Sequence, residues 1–432
     1  MTNIYRKAFS FWRTNGTRAT LHRVRAEFAR RTERTSIPFM QPTPVVKDAA
    51  QTVQARFSAN TPIQTYLLPP STRRRVSVVT DSIGPGSLFG GVGTALIFAS
   101  LLANRLQADL RIITRGERAK PEPLAHLLNV YGIELKGESQ FRFAPPYDTS
   151  QDIDFQLDEL FITTSWWTTA ATLPSVPASS IIYLLQEDER MFYPFGDDHQ
   201  RCEQMLRNNE IRFLINTRLL FEHLVANGLG QLNQRALWFE PAFPSEVFKP
   251  RAPEHQAKRK FLFYARPHNV RNLFYLGIEV IEAAIEQEVL DLDQWDIVLV
   301  GKDIPDIRFG QDYLPQRLEN LSWQTYAELV GSVELGLSLM YTPHPSYPPL
   351  DLAASGAVVV TNQFGIKQDL SNYSRNLICV PCDKQALVEG LRQGVRLADD
   401  RAAREANFRG NGLGRDWQRS FAAALDRMAE GR

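Results

Sequence analysis

Long apolar runs are missing from this chain of 432 residues. Hydrophobic side chains make up 44% of it, yet no stretch of about 18 consecutive ones occurs, so no single helix is expected to span a bilayer. Cysteine is scarce. Cys202, Cys379 and Cys382 cannot build a disulfide framework, which argues against an oxidising compartment. Cys379 and Cys382 have the spacing of half a zinc or redox motif, but no second pair exists, and the first closes an apolar strand, Leu377-Ile378-Cys379-Val380. No small-residue cleavage site follows an apolar core at the N-terminus, so secretion is not expected. A reducing cytoplasm is the natural home for such a chain.

Net charge is nearly missing too, at +1. The balance is uneven, because residues 1–34 carry nine Lys/Arg against two Asp/Glu. Ile4, Phe9, Phe11, Trp12, Leu21, Val24 and Phe28 interleave with these cations. A basic helical segment resting on the anionic inner face of a membrane has this composition. So does an arginine-rich helix packed on its own protein. Nucleic acid is the weaker partner, because no similar basic patch recurs downstream.

Beyond a Pro/Thr/Ser-rich linker at about 36–71, strands and helices alternate, which predicts a parallel α/β fold. Expected strands are Arg75 to Thr80, Leu110 to Thr114, Glu159 to Thr164, Ile181 to Leu185 and Arg212 to Ile215. A second series covers Lys260 to Tyr264, Trp295 to Val300, Leu335 to Leu339, Ala357 to Thr361 and Leu377 to Val380. Two Rossmann-like domains facing across a cleft account for them. The extension occupies 1–70, the first domain 71–240 and the second 241–410, with a terminal helix at about 411–430 packing back on the first domain. No internal repeat is visible.

The first strand is followed by a loop containing Gly84, Gly86, Gly90, Gly91 and Gly93, then by a helix from Val92 to about Leu106. The spacing is not G-x-G-x-x-G, and no acid closes a second strand about 20 residues on, so NAD is not the expected ligand. The second series offers more. Arg266 ends the strand Lys260 to Tyr264, and Arg271 is expected in the first turn of the helix that Leu273, Leu276, Gly277, Val280 and Ile281 outline. Backbone N–H groups at a helix start favour an anion, and two guanidiniums add permanent, bidentate donors suited to a diphosphate.

With Val300-Gly301-Lys302 and the segment His344 to Gly356, this order of motifs resembles the GT-B glycosyltransferases of the family 4 type. The strings Gln186-Glu187-Asp188-Glu189-Arg190-Met191-Phe192-Tyr193-Pro194, Phe239-Glu240-Pro241 and Ser338 to Asp351 are similar to bacterial rhamnosyltransferases that build surface glycans. The resemblance implies a GT-B fold and transfer of L-rhamnose from dTDP-L-rhamnose to a polysaccharide or lipid-linked glycan. Transfer is expected with retention and with no metal or other cofactor.

By the same resemblance Arg266 and Arg271 grip the donor diphosphate. Asp351 meets the ribose, Ser346 and Tyr347 present backbone N–H groups to the phosphates, and Gly91 approaches from the other domain. Lys302 and His344 join the donor set. The first acid of the family's acidic pair is missing, since Pro343 or His344 stands there. An inactive sugar-nucleotide-binding scaffold and a GT-B epimerase are therefore alternatives.

On the acceptor side Trp166, Gln186, Glu187 and Asp188 follow strand ends, with Trp166 and Trp167 a core pair in the alternative reading. The triplets Asp152-Ile153-Asp154 and Asp291-Leu292-Asp293 have metal-site spacing but read as solvated turns. His223, His255 and His268 read as structural.

Overall fold

The structure is a computed structural model that describes residues 48–69, 73–84, 88, 90–150, 152–251 and 258–430. The basic head at 1–34, much of the linker, Gly86 and His255 lie outside the described residues. The chain divides into a short N-terminal unit and a compact body from Phe57 onward. Among the described residues no helix is long and apolar enough to cross a membrane.

Fifteen strands are described. They are β1 (Thr65–Leu67), β2 (Arg75–Thr80), β3 (Asp109–Thr114), β4 (Ser139–Phe143), β5 (Ile153–Phe155), β6 (Leu160–Thr163), β7 (Ile181–Leu185), β8 (Arg212–Asn216), β9 (Ala236–Phe239), β10 (Arg259–Ala265), β11 (Trp295–Gly301), β12 (Gln316–Glu319), β13 (Leu335–Leu337), β14 (Val358–Asn362) and β15 (Leu377–Val380). Seven form one sheet in the order β4-β3-β2-β6-β7-β8-β9 and six a second in the order β12-β11-β10-β13-β14-β15. Every pairing within them is parallel, with registers such as Val78 opposite Ile112 and Phe263 opposite Leu299.

Parallel sheets of this kind are covered on both faces, and their central strands are continuous apolar runs. All six residues of β2 and all five of β7 are buried. On the first sheet the helix Gly91–Leu106 buries Leu96, Phe98 and Leu102 against Val76, Val78 and Ile162. On the second, the helix Phe274–Glu286 buries Val280, Ile281 and Ala284 beside Phe263 and Leu299. Gly277 permits that approach, since a Cβ there would fall 2.2 Å from the Phe263 ring.

Residues 57–69 belong to the body rather than to a linker. Ile63 is buried, its N–H bonds the Ala171 carbonyl, and β1 pairs with β5. Arg115 Nη2 also donates to the Thr61 carbonyl at 2.7 Å. The triplet at 152–154 is likewise no solvated turn. Asp154 lies in β5 and ion-pairs Arg75 at 2.7 Å and Arg111 at 3.4 Å, while Glu159 bonds both arginines. Burial brings the Arg111 guanidinium down to about 10, against the pull of Glu159.

The C-terminus returns to the first sheet. Trp417, Phe421, Leu425 and Met428 join the core under the helix Gly91–Leu106. Phe421 packs 4.5 Å from Phe239 and 5.0 Å from Phe98, ring centre to ring centre.

Candidate functional site

The carboxyl ends of both sheets open on a shared cleft of about 690 Å³. This is where parallel α/β sheets place their ligands. Arg266 and Lys302 reach it from the ends of β10 and β11, and both are exposed. Neither has an ion-pair partner among the described residues, so two cations face the cleft unneutralised.

Arg271 does not sit in the first turn of the following helix. It lies in a separate 3₁₀ turn, Val270–Asn272, divided from the helix by Leu273 in the left-handed region at φ 48. That break re-aims the side chain. The Arg271 carbonyl accepts from Tyr341 N at 2.7 Å, and its guanidinium stacks 4.2 Å from the centre of the Phe192 ring. Its Nη1 is buried without a hydrogen-bond partner among the described residues.

The loop after β13 also lines the cleft. Ser346 is in the left-handed region at φ 72, where it caps the helix Tyr347–Ala354. Its N–H donates to His344 Nδ1 at 2.9 Å, so that N–H already has a partner. The bond fixes the histidine tautomer and leaves the proton on Nε2. Burial, with Lys367 nearby, lowers His344 to about 3, so the ring is neutral. Its Nε2 is buried and has no hydrogen-bond partner among the described residues. Asp351, inside the same helix, accepts from the Tyr326 hydroxyl at 3.1 Å, and burial pushes it up to about 8.

The first domain contributes Gly91, Gln186 and Glu187. A Cβ on Gly91 would come within 2.9 Å of Gln186 Cγ, so a side chain there would displace the glutamine. Gln186 accepts from Asn216 Nδ2 at 2.7 Å. Glu187 lies 3.9 Å from Arg271 Nη1. Burial raises it to about 7, with Arg271 opposing the shift.

Residues 75–218 match the family described as WsaF, N-terminal domain, and residues 259–392 match WsaF, C-terminal domain. Between them the two matches cover more than half of the chain. The chain belongs to the WsaF family. Among curated proteins it is similar to the O-antigen biosynthesis protein RfbC of Myxococcus xanthus, 29% identical over 274 residues. That match takes in 63% of this chain and 20% of the relative, so the chain spans about a fifth of that protein's length.

Among solved structures, sucrose-phosphate synthase from Thermosynechococcus elongatus matches with a TM-score of 0.52 at 12% identity, over 83% of this chain and 98% of that one. Anabaena HepE in complex with UDP and glucose matches with a TM-score of 0.51 at 11% identity, over 82% and 99%. These likenesses establish the GT-B fold, with two Rossmann-like sheets.

For this WsaF-family chain, every donor-side candidate named above lines the cleft: Gly91, Arg266, Arg271, Lys302, His344, Ser346, Tyr347 and Asp351. The acceptor candidates divide. Gln186 lines it, but Asp188 and Trp166 do not. Asp188 is clamped by Arg190 Nε and Nη2, both at 2.8 Å, with His223 at 3.5 Å. Burial opposes but does not prevent its fall to about 2. Trp166 is a core residue, its Nε1 donating to the Tyr193 hydroxyl at 2.9 Å.

Sequence reasoning gave no role to Tyr131, Trp323 or Asn216. Tyr131 of the first domain packs 6.0 Å from Trp323 of the second and closes one end of the cleft. Trp323 directly follows the Ser322 helix cap, the one signal that placed it at a strand-to-helix junction.

Proposed function

We propose that the chain is a glycosyltransferase moving L-rhamnose from dTDP-L-rhamnose to a growing surface polysaccharide or lipid-linked glycan, without metal and with retention. One observation carries this reading: Arg266, Arg271 and Lys302 converge on one interdomain cleft together with the buried His344 and Asp351. The named part of the M. xanthus relative in O-antigen biosynthesis and the UDP and glucose bound by HepE support a nucleotide-sugar donor and a surface glycan. The rhamnosyl assignment rests on the strings Gln186 to Pro194 and Ser338 to Asp351.

In this reading the C1–oxygen bond of the sugar breaks through an oxocarbenium-like state, and negative charge grows on the departing diphosphate. Arg266, Arg271 and Lys302 neutralise that charge where it develops, which lowers the barrier more than it tightens ground-state binding. The unpartnered His344 Nε2–H is a further donor for a phosphate oxygen. Asp351 accepts from a hydroxyl of the nucleoside sugar. The basic head at 1–34 holds the enzyme to the anionic inner face of the cytoplasmic membrane, where a lipid-linked acceptor resides.

Isothermal titration with dTDP, UDP and GDP, with and without EDTA, tests this reading. Preferential binding of dTDP, unchanged by chelation, is expected. Binding abolished by EDTA and restored by magnesium would overturn the metal-independent class. Nucleotide binding with no release of dTDP from dTDP-L-rhamnose under any condition would favour an inactive scaffold.

A further inference from the structure

Glu187 Oε2 and Arg271 Nη1 face each other from opposite domains, and neither has a hydrogen-bond partner among the described residues although both are buried. Their separation of 3.9 Å is too long for a hydrogen bond between them, yet one oxygen placed between them can bond both. The chemistry of that oxygen is constrained. A guanidinium only donates and a carboxylate only accepts, so the bridging group must accept from Arg271 and donate to Glu187. A phosphate oxygen without a proton cannot do this, whereas a hydroxyl can.

We infer that Glu187 is the catalytic residue that binds the attacking hydroxyl of the acceptor and takes its proton. The assignment rests on the glycosyltransferase reading and adds to it a base that the donor-binding residues do not supply. Glu187 is the second residue beyond β7, at the carboxyl end of the first sheet. It therefore meets the reacting carbon from the side where an acceptor enters, while Arg271 holds the diphosphate.

The acceptor oxygen forms its bond to C1 as the C1–oxygen bond to phosphate breaks. The electron pair departs with the diphosphate, and the proton passes to Glu187 Oε2 and then to solvent. The charged and polar groups around Glu187 are Arg271 from the 3₁₀ turn, Lys367, the neighbouring Asp188 and the Thr342 hydroxyl, which opposes the upward shift of the carboxyl. Burial sets the carboxyl to about 7, so it ionises close to neutrality, as a general base should.

The test is Glu187→Gln, a near-isosteric change. Its Kd values for dTDP and dTDP-L-rhamnose should stay within about twofold of the parental ones. Release of dTDP from dTDP-L-rhamnose, with water or methyl rhamnoside as acceptor, should fall roughly 100-fold or more. The parental rate should rise with pH through about 7, and that acidic limb should vanish in the variant.

A parental rate or a persistent acidic limb in Glu187→Gln overturns the assignment. A loss of dTDP affinity instead makes Glu187 a support for Arg271. A loss confined to the advantage of dTDP-L-rhamnose over dTDP makes it a contact to the donor sugar. Parental protein that binds neither compound overturns the glycosyltransferase reading, and this assignment with it.

Discussion

The Tyr347 hydroxyl lies 2.7 Å from Thr94 Oγ1 and 3.1 Å from Asn216 Nδ2, so the first residue of the helix that carries Asp351 is bonded to the opposite domain. Asn216 in turn donates to Gln186 Oε1, and Gln186 Nε2 reaches the Gly91 carbonyl at 3.4 Å. Five residues thus tie the donor loop to the glycine turn after β2. This chain of hydrogen bonds crosses from one domain to the other beside the cleft.

Tyr347→Phe removes the link while keeping the ring against Phe243 and His344. Thr94 still bonds the Gly90 carbonyl, and Asn216 still bonds Gln186. The expected cost is about 0.5–1.5 kcal/mol, seen as a small fall in Tm together with a several-fold rise in the Kd for the nucleotide sugar. An unchanged Kd would show that the clasp does not hold the donor loop.

Arg266→Ala and Arg271→Ala should each lose a charge-assisted contact worth about 1.5–3 kcal/mol, at least tenfold in dTDP affinity. They should differ in stability. Arg266 is exposed and has no ion-pair partner among the described residues, so its variant should melt like the parent. Arg271 covers the Phe192 ring and faces Glu187, and its removal leaves a buried carboxylate without its counter-charge. Thermal unfolding of the purified variants separates the two cases, and equal melting temperatures would contradict the account of Arg271.

The central strands were legible because a strand buried on both faces must be apolar along its whole length. Arg75–Thr80 and Ile181–Leu185 stand where the sequence places them. Ser139–Phe143, Ala236–Phe239 and Gln316–Glu319 are edge strands with polar or exposed residues. Their pairing comes from the neighbouring strand and leaves little trace in composition.

The cleft followed a similar rule. Residues at the carboxyl ends of strands were visible as candidates, but their direction was not. Trp166 turns inward because Ser165 and Thr168 form a reciprocal cap at that helix start, and Asp188 because Arg190 lies two residues on. Arg271 left the helix through the left-handed Leu273, a conformation that no leucine announces.

The buried cluster of Arg75, Arg111, Asp154 and Glu159 lies at the end of the first sheet away from the cleft and bears on stability alone. Glu159 has no exposed side-chain surface and receives bonds from Arg75 Nη2 at 2.8 Å and Arg111 Nη2 at 2.5 Å. Replacing it by alanine leaves two buried cations with one remaining carboxylate between them. A loss of about 3–5 kcal/mol is expected in urea unfolding. Any protein that stays folded should keep its dTDP affinity, and a parental unfolding midpoint would contradict the role given to the cluster.

Asp351 makes stability depend on pH in an unusual direction. Burial raises it from the ordinary value of 3.8 to about 8, opposed by the Tyr326 hydroxyl. Between those values the folded chain holds a proton that the unfolded chain has released, so this group lowers stability progressively as pH rises from about 4 to about 8. Asp351→Asn cannot ionise and accepts from Tyr326 in the same way. Its Tm relative to the parent should therefore climb between pH 5 and pH 8 and level off above about 8. Binding should show the reverse penalty if a nucleoside hydroxyl donates to the ionised carboxylate, with the variant losing most dTDP affinity at the high end of the range. A Tm difference independent of pH would mean that Asp351 is already ionised in the fold, and would remove the basis for both effects.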